Sequence, residues 1–423
     1  AVSYDDSNNC YSIETKNRDT FAIQSPDFEI FFHEMNIFFT RLMYQFPKGR
    51  EIKVSGFTPI KMQKLAAQPP NISLLRYEAT VVQYSSNLSL ELGRNFFDFE
   101  TTSRCFFNFE KYGDPVMHPN ILSSPLIAEK MLSVISFKGI APKIVCKAIR
   151  TFLKYTKSLS TIILEEYEDI QFEQFNFETI PNPNVVSWTF KNVFTSNKYI
   201  HRIPLFFREF SFYQTDIQKF HIEGFVFDKE VTSSFLKLIT ESPVFHTLEF
   251  LIMRNLFVIP DEDVLFIYNN IVSSLNYLNV LFDFELSFNN EPPSFELKNG
   301  IFNFVDIDSL RSLNLSNIDL SLVESHIHLP QEILNLEINN TKFSFKSLSH
   351  ILESISIFNH NLCISFKNME MSENDWKQFY VFCEEWEPLT NIAEINWSGN
   401  PIPENFVSTF CKIFLPLETL RVF

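Results

Sequence analysis

The chain has 423 residues, of which 45% are hydrophobic and 20% charged, with a formal net charge of -16. That length suits two or three ordinary domains or one long repeat array, and the apolar fraction supplies a core and excludes wholesale disorder. The acidic balance, without any Lys/Arg cluster, argues against a nucleic-acid face, and a chain with 8 Gly holds neither G-x-x-x-x-G-K-[ST] nor G-x-G-x-x-G to cradle a phosphate.

In chain order, "CYSIET" from Cys10 and "DTFAIQS" from Asp19 alternate apolar and polar residues around the turn "KNRD", which predicts two short strands. Ser25, Pro26 and Asp27 then open an apolar-periodic run to Phe46, a helix with Pro at its first position, closed by Pro47 and Gly49. Residues 48–125 read as a linker and an irregular N-terminal cap, with "LLRYEATVVQYSS" and "LSLELGRNFFDFE" as capping strands.

From residue 126 onward one pattern recurs. Its clearest copy is "IAEINWSGNPIP", where Ile392, Ile395, Trp397, Asn400 and Ile402 match L-x-x-L-x-L-x-x-N-x-L. Anchoring each copy on its fourth position gives Ile135, Ile162, Trp188, Ile222, Leu248, Leu278, Leu313, Leu336, Ile364, Ile395 and Leu420. The spacing averages about 28 residues, the range of a long leucine-rich repeat. Between anchors, "APKIVCKAIRTFLKYTKS", "DKEVTSSFLKLITES" and "SENDWKQFYVFCEEW" carry apolar residues at helical spacing, with Asp228 and Ser372 as N-caps. The expected fold is α/β: a leucine-rich-repeat solenoid, or horseshoe, of about eleven strand–helix units over 126–423, preceded by a partial pleckstrin-homology-like strand–strand–helix segment over 1–47. The last pattern, "LETLRVF", runs into Phe423 and the sequence opens on Ala1, so the chain is expected to be a piece of a longer protein.

In such a repeat the residues after the anchor alternate between core and concave face. With the anchors above, Phe225, Leu251 and Leu281 form one apolar column on that face, with Glu223 and Glu249 beside it. These five are the candidate protein-binding residues, because contiguous exposed apolar side chains mark interaction surfaces.

Little in the sequence invites chemistry. His326 and His328 are the only close histidine pair, and no third ligand completes a metal site by spacing. Neither G-x-S-x-G nor H-E-x-x-H occurs, and Asp261 and Asp263 in "IPDEDVLF" read as the acidic first turn of a helix. No catalysis, cofactor or metal is expected. The six cysteines are dispersed without C-x-x-C, the five N-x-[ST] sequons are what chance gives in so Asn- and Ser-rich a chain, and no leader-like or membrane-spanning run occurs. Together these point to a cytoplasmic protein.

The order of parts resembles the CARMIL family of actin regulators, through "YSIETKNRDTFAIQS" with its following helix, the "RYEATVVQY" stretch and the long repeats. The resemblance implies a non-enzymatic scaffold with protein partners in the actin cytoskeleton and dimerisation through the solenoid. It also implies peripheral membrane contact through early strands of the N-terminal domain, which this sequence does not contain. An alternative role is regulation of a small GTPase or another enzyme by an acidic solenoid surface; a third is a cell-surface adhesin. Fold alone does not choose among them.

Overall fold

The computed structural model describes residues 2–5, 10–14, 20–23, 72–84, 88–102, 104–110, 118–127, 129–166, 182–213, 216–289, 307–324, 326–387 and 389–414. The helix expected over 26–46, the linker to residue 71 and the anchor Leu420 lie outside these residues. The chain is mixed α/β and divides into two compact units, Ala1–Leu159 and Ser160–Phe423.

The first unit contains an antiparallel sheet of β1 (Val2–Asp5), β2 (Cys10–Glu14) and β3 (Thr20–Ile23). Strands β2 and β3 fall on the two alternating segments read from the sequence. The two segments expected as capping strands are instead helices, α1 (Ile72–Gln83) and α2 (Leu90–Thr101). For α2 the reason is local: Ser89 accepts a hydrogen bond from the Leu92 amide as N-cap, and Leu92, Phe96 and Phe99 are buried at helical rather than alternating spacing. Tyr77 of α1 stacks on Phe96 of α2 at 5.0 Å, and the buried Arg76 guanidinium meets Glu129 at 2.7 Å. A parallel pair follows, β4 (Phe106–Phe109) and β5 (Val134–Lys138), with the short helix α3 (Pro119–Ser123) between them and α4 (Pro142–Tyr155) after them. Pro142 at the start of α4 fits the first turn, where its missing N–H costs nothing.

In the second unit every strand lies parallel to its neighbours. The strands are β6 (Thr161–Glu165), β7 (Ser187–Lys191), β8 (Lys219–Glu223), β9 (Val226–Phe227), β10 (Phe250–Val258), β11 (Asp283–Phe288), β12 (Ser312–Asn314), β13 (Asn335–Glu337), β14 (Leu362–Ser365) and β15 (Ile392–Asn396). Their spatial order is chain order, except that β9 pairs only with the far end of β10, and the sheet does not close into a barrel. Among the described residues, five helices return the chain between strands, α5 (Ile203–Tyr213), α6 (Lys229–Glu241), α7 (Val264–Ser274), α8 (Phe345–Ser356) and α9 (Glu373–Glu385), and α10 (Val407–Phe414) follows β15. Asp228 and Ser372 cap α6 and α9 through the amides of Val231 and Asp375, as read from the sequence. Between β12 and β13 the described residues form no helix.

The ladder aligns one inward column: Ile162, Trp188, Phe220, Leu251, Phe284, Leu313, Leu336, Ile364 and Ile395. Two residues on in each strand lies a second inward column, including Phe190, Ile222, Met253, Leu315, Phe366 and Trp397, and both columns are buried. They pack on the helices: Phe220 meets Phe235 of α6 at 6.5 Å, and Trp188 meets Phe210 of α5 edge-on at 5.4 Å. A strand with every second side chain in this layer cannot bury it alone, so each unit depends on its neighbours.

Four residues past the inward anchor, the backbone turns left-handed at Asn192, Gly224, Asn255, Asn317, Asn340, Asn368 and Gly399, and also at Glu166, with φ between 50 and 79°. Gly and Asn are the residues that tolerate this conformation. The amides of Asn192, Gly224, Asn317, Asn340 and Asn368 each donate to a carbonyl of an adjacent unit at 2.8 to 3.0 Å, so the turns form a ladder of their own. Asn368 Nδ2 also donates to Asn340 Oδ1 at 3.0 Å.

Candidate protein-interaction face

Among the described residues, the helices pack on the inward columns and leave the alternate face of the sheet open. On it, β8 presents Lys219, His221 and Glu223; β10 presents Phe250, Ile252 and Arg254; β11 presents Asp283 and Glu285; and β13 presents Asn335 and Glu337, with Asn339 just past its end.

Three of the five residues expected on this face are not there. Phe225, Leu251 and Leu281 are fully buried. Phe225 lies past the end of β8, against Phe194 at 4.8 Å, and Leu251 is the inward residue paired with Phe220 and Phe284. Leu281 precedes β11. The cause is register: the ladder aligns Phe220, Leu251 and Phe284 where the repeat pattern took Ile222, Leu248 and Leu278 as anchors. The three-residue shift at Leu248 is odd and exchanges the two faces of the strand, whereas the even shifts at Ile222 and Leu278 put Phe225 past the end of β8 and Leu281 ahead of β11. Glu223 does reach the open face, while Glu249 sits half-buried at the strand-entry edge, its carbonyl accepting from the Phe282 and Asp283 amides at 2.7 and 2.9 Å.

The apolar element of the face lies elsewhere. Half-buried Phe250 faces Phe282 at 6.0 Å between ring centroids; Phe282 is 44% exposed and Val280 43%. Lys219 Nζ lies 6.0 Å from the centre of the Phe250 ring. These residues make an apolar lip where the chain enters β10 and β11.

Beside the lip the face is charged. Arg254 forms a bidentate pair with Glu285, at 2.5 and 2.6 Å. Glu337 accepts from Asn314 and Asn339 at 3.4 and 3.3 Å. Burial pushes the Asp283 carboxyl up from the usual range, and Glu285 and Glu337 push the same way against a hydrogen bond from Ser312 and the Lys219 charge. His221, 5% exposed, is held down to about 3 by burial and then by the charges of Arg254, Lys191 and Lys219, although the Glu223 carboxylate lies 3.5 Å away. Its imidazole is therefore neutral at physiological pH. Arg254 is spent on Glu285, so the strip from β11 to β15, with Asp283, Glu337 and Glu394, has Lys367 as its remaining cation among these strand and strand-exit positions. Crowded carboxylates of this kind attract a cationic partner.

His326 does not pair with His328; it meets His350 and Glu353, which the sequence gave no spacing to connect. The five cysteines among the described side chains are free thiols, and no helix of the described residues is long and apolar enough to cross a membrane. No protein-family model and no curated protein sequence matches the chain.

Proposed function

We propose that this chain is a leucine-rich-repeat solenoid that acts as a non-enzymatic scaffold, taking a protein partner on the open face of β8 to β13. The observation that carries this is the pairing of the Phe250–Phe282–Val280 lip with the acidic strip beginning at Asp283. An apolar anchor bordered by charge is the composition of a binding patch, with the charged rim supplying specificity and association rate. The partner this fits is a basic segment bearing at least one large apolar side chain. The solenoid reading is supported by parallel strands stacked in chain order, two buried columns per strand and a left-handed Asn or Gly at nearly every strand exit. The CARMIL-like resemblance extends the proposal to the cytoplasm and the actin cytoskeleton, with a homodimer as the expected assembly; the antiparallel β1–β3 sheet is compatible with its pleckstrin-homology-like part.

The test is the double reversal Asp283→Lys, Glu337→Lys in the full chain. Both side chains lie on the open face, so the variant should melt near the native temperature. The native chain should retain a basic cytosolic partner at 50 mM salt and release it at about 500 mM, where the Debye length falls to a few ångströms. The variant should not retain it at either. Equal capture by both chains would refute the face. The acidic strip also favours the second reading, regulation of a small GTPase or other enzyme: a captured partner whose catalytic rate changes on binding would select it.

A further inference from the structure

His326 lies in the connection from β12 to β13, and His350 lies on α8. Their rings stack with centroids 4.3 Å apart and planes tilted by 33°. Glu353, one turn further along α8, brings Oε2 to 3.8 Å from His326 Nδ1. One ligand atom from each of the three residues lies within 4.8 Å of both others.

The backbone holds this group from two sides. Ile327, next to His326, is buried, and its carbonyl accepts a hydrogen bond from the Ser354 hydroxyl of α8. Helix α8 is fixed at its start by a reciprocal cap between Ser344 and Ser347. His350 is 8% exposed and anchored in the helix, whereas the side chains of His326 and Glu353 are 66% and 46% exposed and have room to turn.

We propose that His326, His350 and Glu353 bind a divalent transition metal, with zinc as the best match. Two imidazole nitrogens and one carboxylate oxygen are a common donor set for zinc, with a fourth position left for water or a partner's donor. Bonds of about 2.0 to 2.2 Å place tetrahedral donors about 3.3 Å apart, so the donors must close by at most about 1.5 Å. That movement falls to the two exposed side chains. An ion pair between His326 and Glu353 would not account for the second ring. The metal would tie the β12–β13 connection to α8 where the described chain has no helix of its own to pack there.

The test uses the whole 423-residue chain, stripped with a chelator and dialysed against zinc chloride, with bound metal counted. Cobalt chloride serves as the spectroscopic probe, because four-coordinate Co²⁺ absorbs strongly in the visible. One metal per chain is expected. His326→Ala should weaken binding by about 100-fold and Glu353→Gln by about 10-fold. Neither should change the metal-free melting temperature, and His246→Ala, an exposed histidine elsewhere, should bind as the native chain does. Absence of stoichiometric uptake, or native affinity in both His326→Ala and Glu353→Gln, would overturn the site. Equal loss in His246→Ala would mark the binding as non-specific and overturn it as well.

Discussion

Replacing Leu251 by Asp, and Phe250 by Asp in a separate chain, tests which face of β10 is which. The two residues are adjacent, so one points into the layer against the helices and the other to the open face. Leu251 is fully buried between Phe220 and Phe284 in the ladder. Cutting it to Ala alone would cost about 2 to 5 kcal/mol for lost transfer and the cavity left behind. Taking about 3 kcal/mol and roughly 2 to 4 °C per kcal/mol for a domain of this size, Leu251→Ala should melt about 6 to 12 °C lower. Leu251→Asp adds a carboxylate with no partner in an apolar layer and should leave the second unit unfolded or molten near 25 °C. Phe250→Asp loses half-buried contacts with Phe282 and should cost only about 1 kcal/mol. Circular dichroism melts of the three variants decide the matter. A folded Leu251→Asp with a native melting temperature, beside a collapsed Phe250→Asp, would mean that the strand register is wrong and that the apolar column belongs on the surface.

Two further perturbations probe the turns and the buried histidine. Gly224→Ala puts a Cβ at φ +70°, overlapping the Asn192 side-chain oxygen, and should cost about 1 to 3 kcal/mol in urea unfolding. Adding Asn192→Gly should recover the overlap part of that loss, while Asn340→Gly alone should be near neutral; a fully tolerated Gly224→Ala would refute the left-handed ladder. His221 stays neutral in the native state down to about pH 3, whereas in the unfolded chain it titrates near 6.5. Below pH 6.5 the unfolded state takes the proton first, so this contribution is complete above 6.5 and declines as pH falls toward 3. It should amount to a loss of about 2 kcal/mol by pH 5. His221→Gln should remove that slope between pH 7 and pH 5, and an unchanged slope would show that the imidazole is solvated.

Much of the architecture is legible in the sequence, and the failures have physical causes. The anchors Ile135, Ile162, Trp188, Leu313, Leu336, Ile364 and Ile395 coincide with ladder residues because each begins a simple apolar–x–apolar strand. Register slipped where Phe replaces Leu and apolar residues flank the strand: Leu248 and Leu278 are buried in the loops before β10 and β11 and read as well as the true anchors. A second signal was available. "FHIEG", "LIMRN", "LNLSN", "ISFKN" and "INWSG" all end in Gly or Asn two residues past the second inward residue, the left-handed exit. Aligning on that exit places Phe220 and Leu251 correctly and sends Phe225 into the core. β6 and β11 break the rule, β6 ending in the left-handed Glu166 and β11 in Phe288 beyond the register shift in β10. The group at His326 had no comparable signal, since it is assembled by an excursion from β12 and one face of α8. Two helices read as strands from their aromatic and β-branched content, and in α2 the Ser89 cap outweighs it.

The ladder of left-handed exits separates what may vary in this chain from what may not. Most exit amides are committed to a carbonyl of the next repeat, and that of Asn255 to the Ser287 hydroxyl, which fixes the step from strand to strand at about 4.8 Å whatever lies between them. The connecting lengths differ widely, shortest from Leu313 to Leu336 and longest from Leu251 to Phe284, and the helix side absorbs the whole difference. Extra residues inserted after an exit should therefore be accommodated as longer loops or helices, at the modest entropic rate of loop closure. A single residue inserted between an inward anchor and its exit would rotate a strand, strand an amide and break two junctions at once. Divergence among proteins of this architecture should accordingly accumulate in the returns, as a comb keeps its teeth in line while the handle changes thickness.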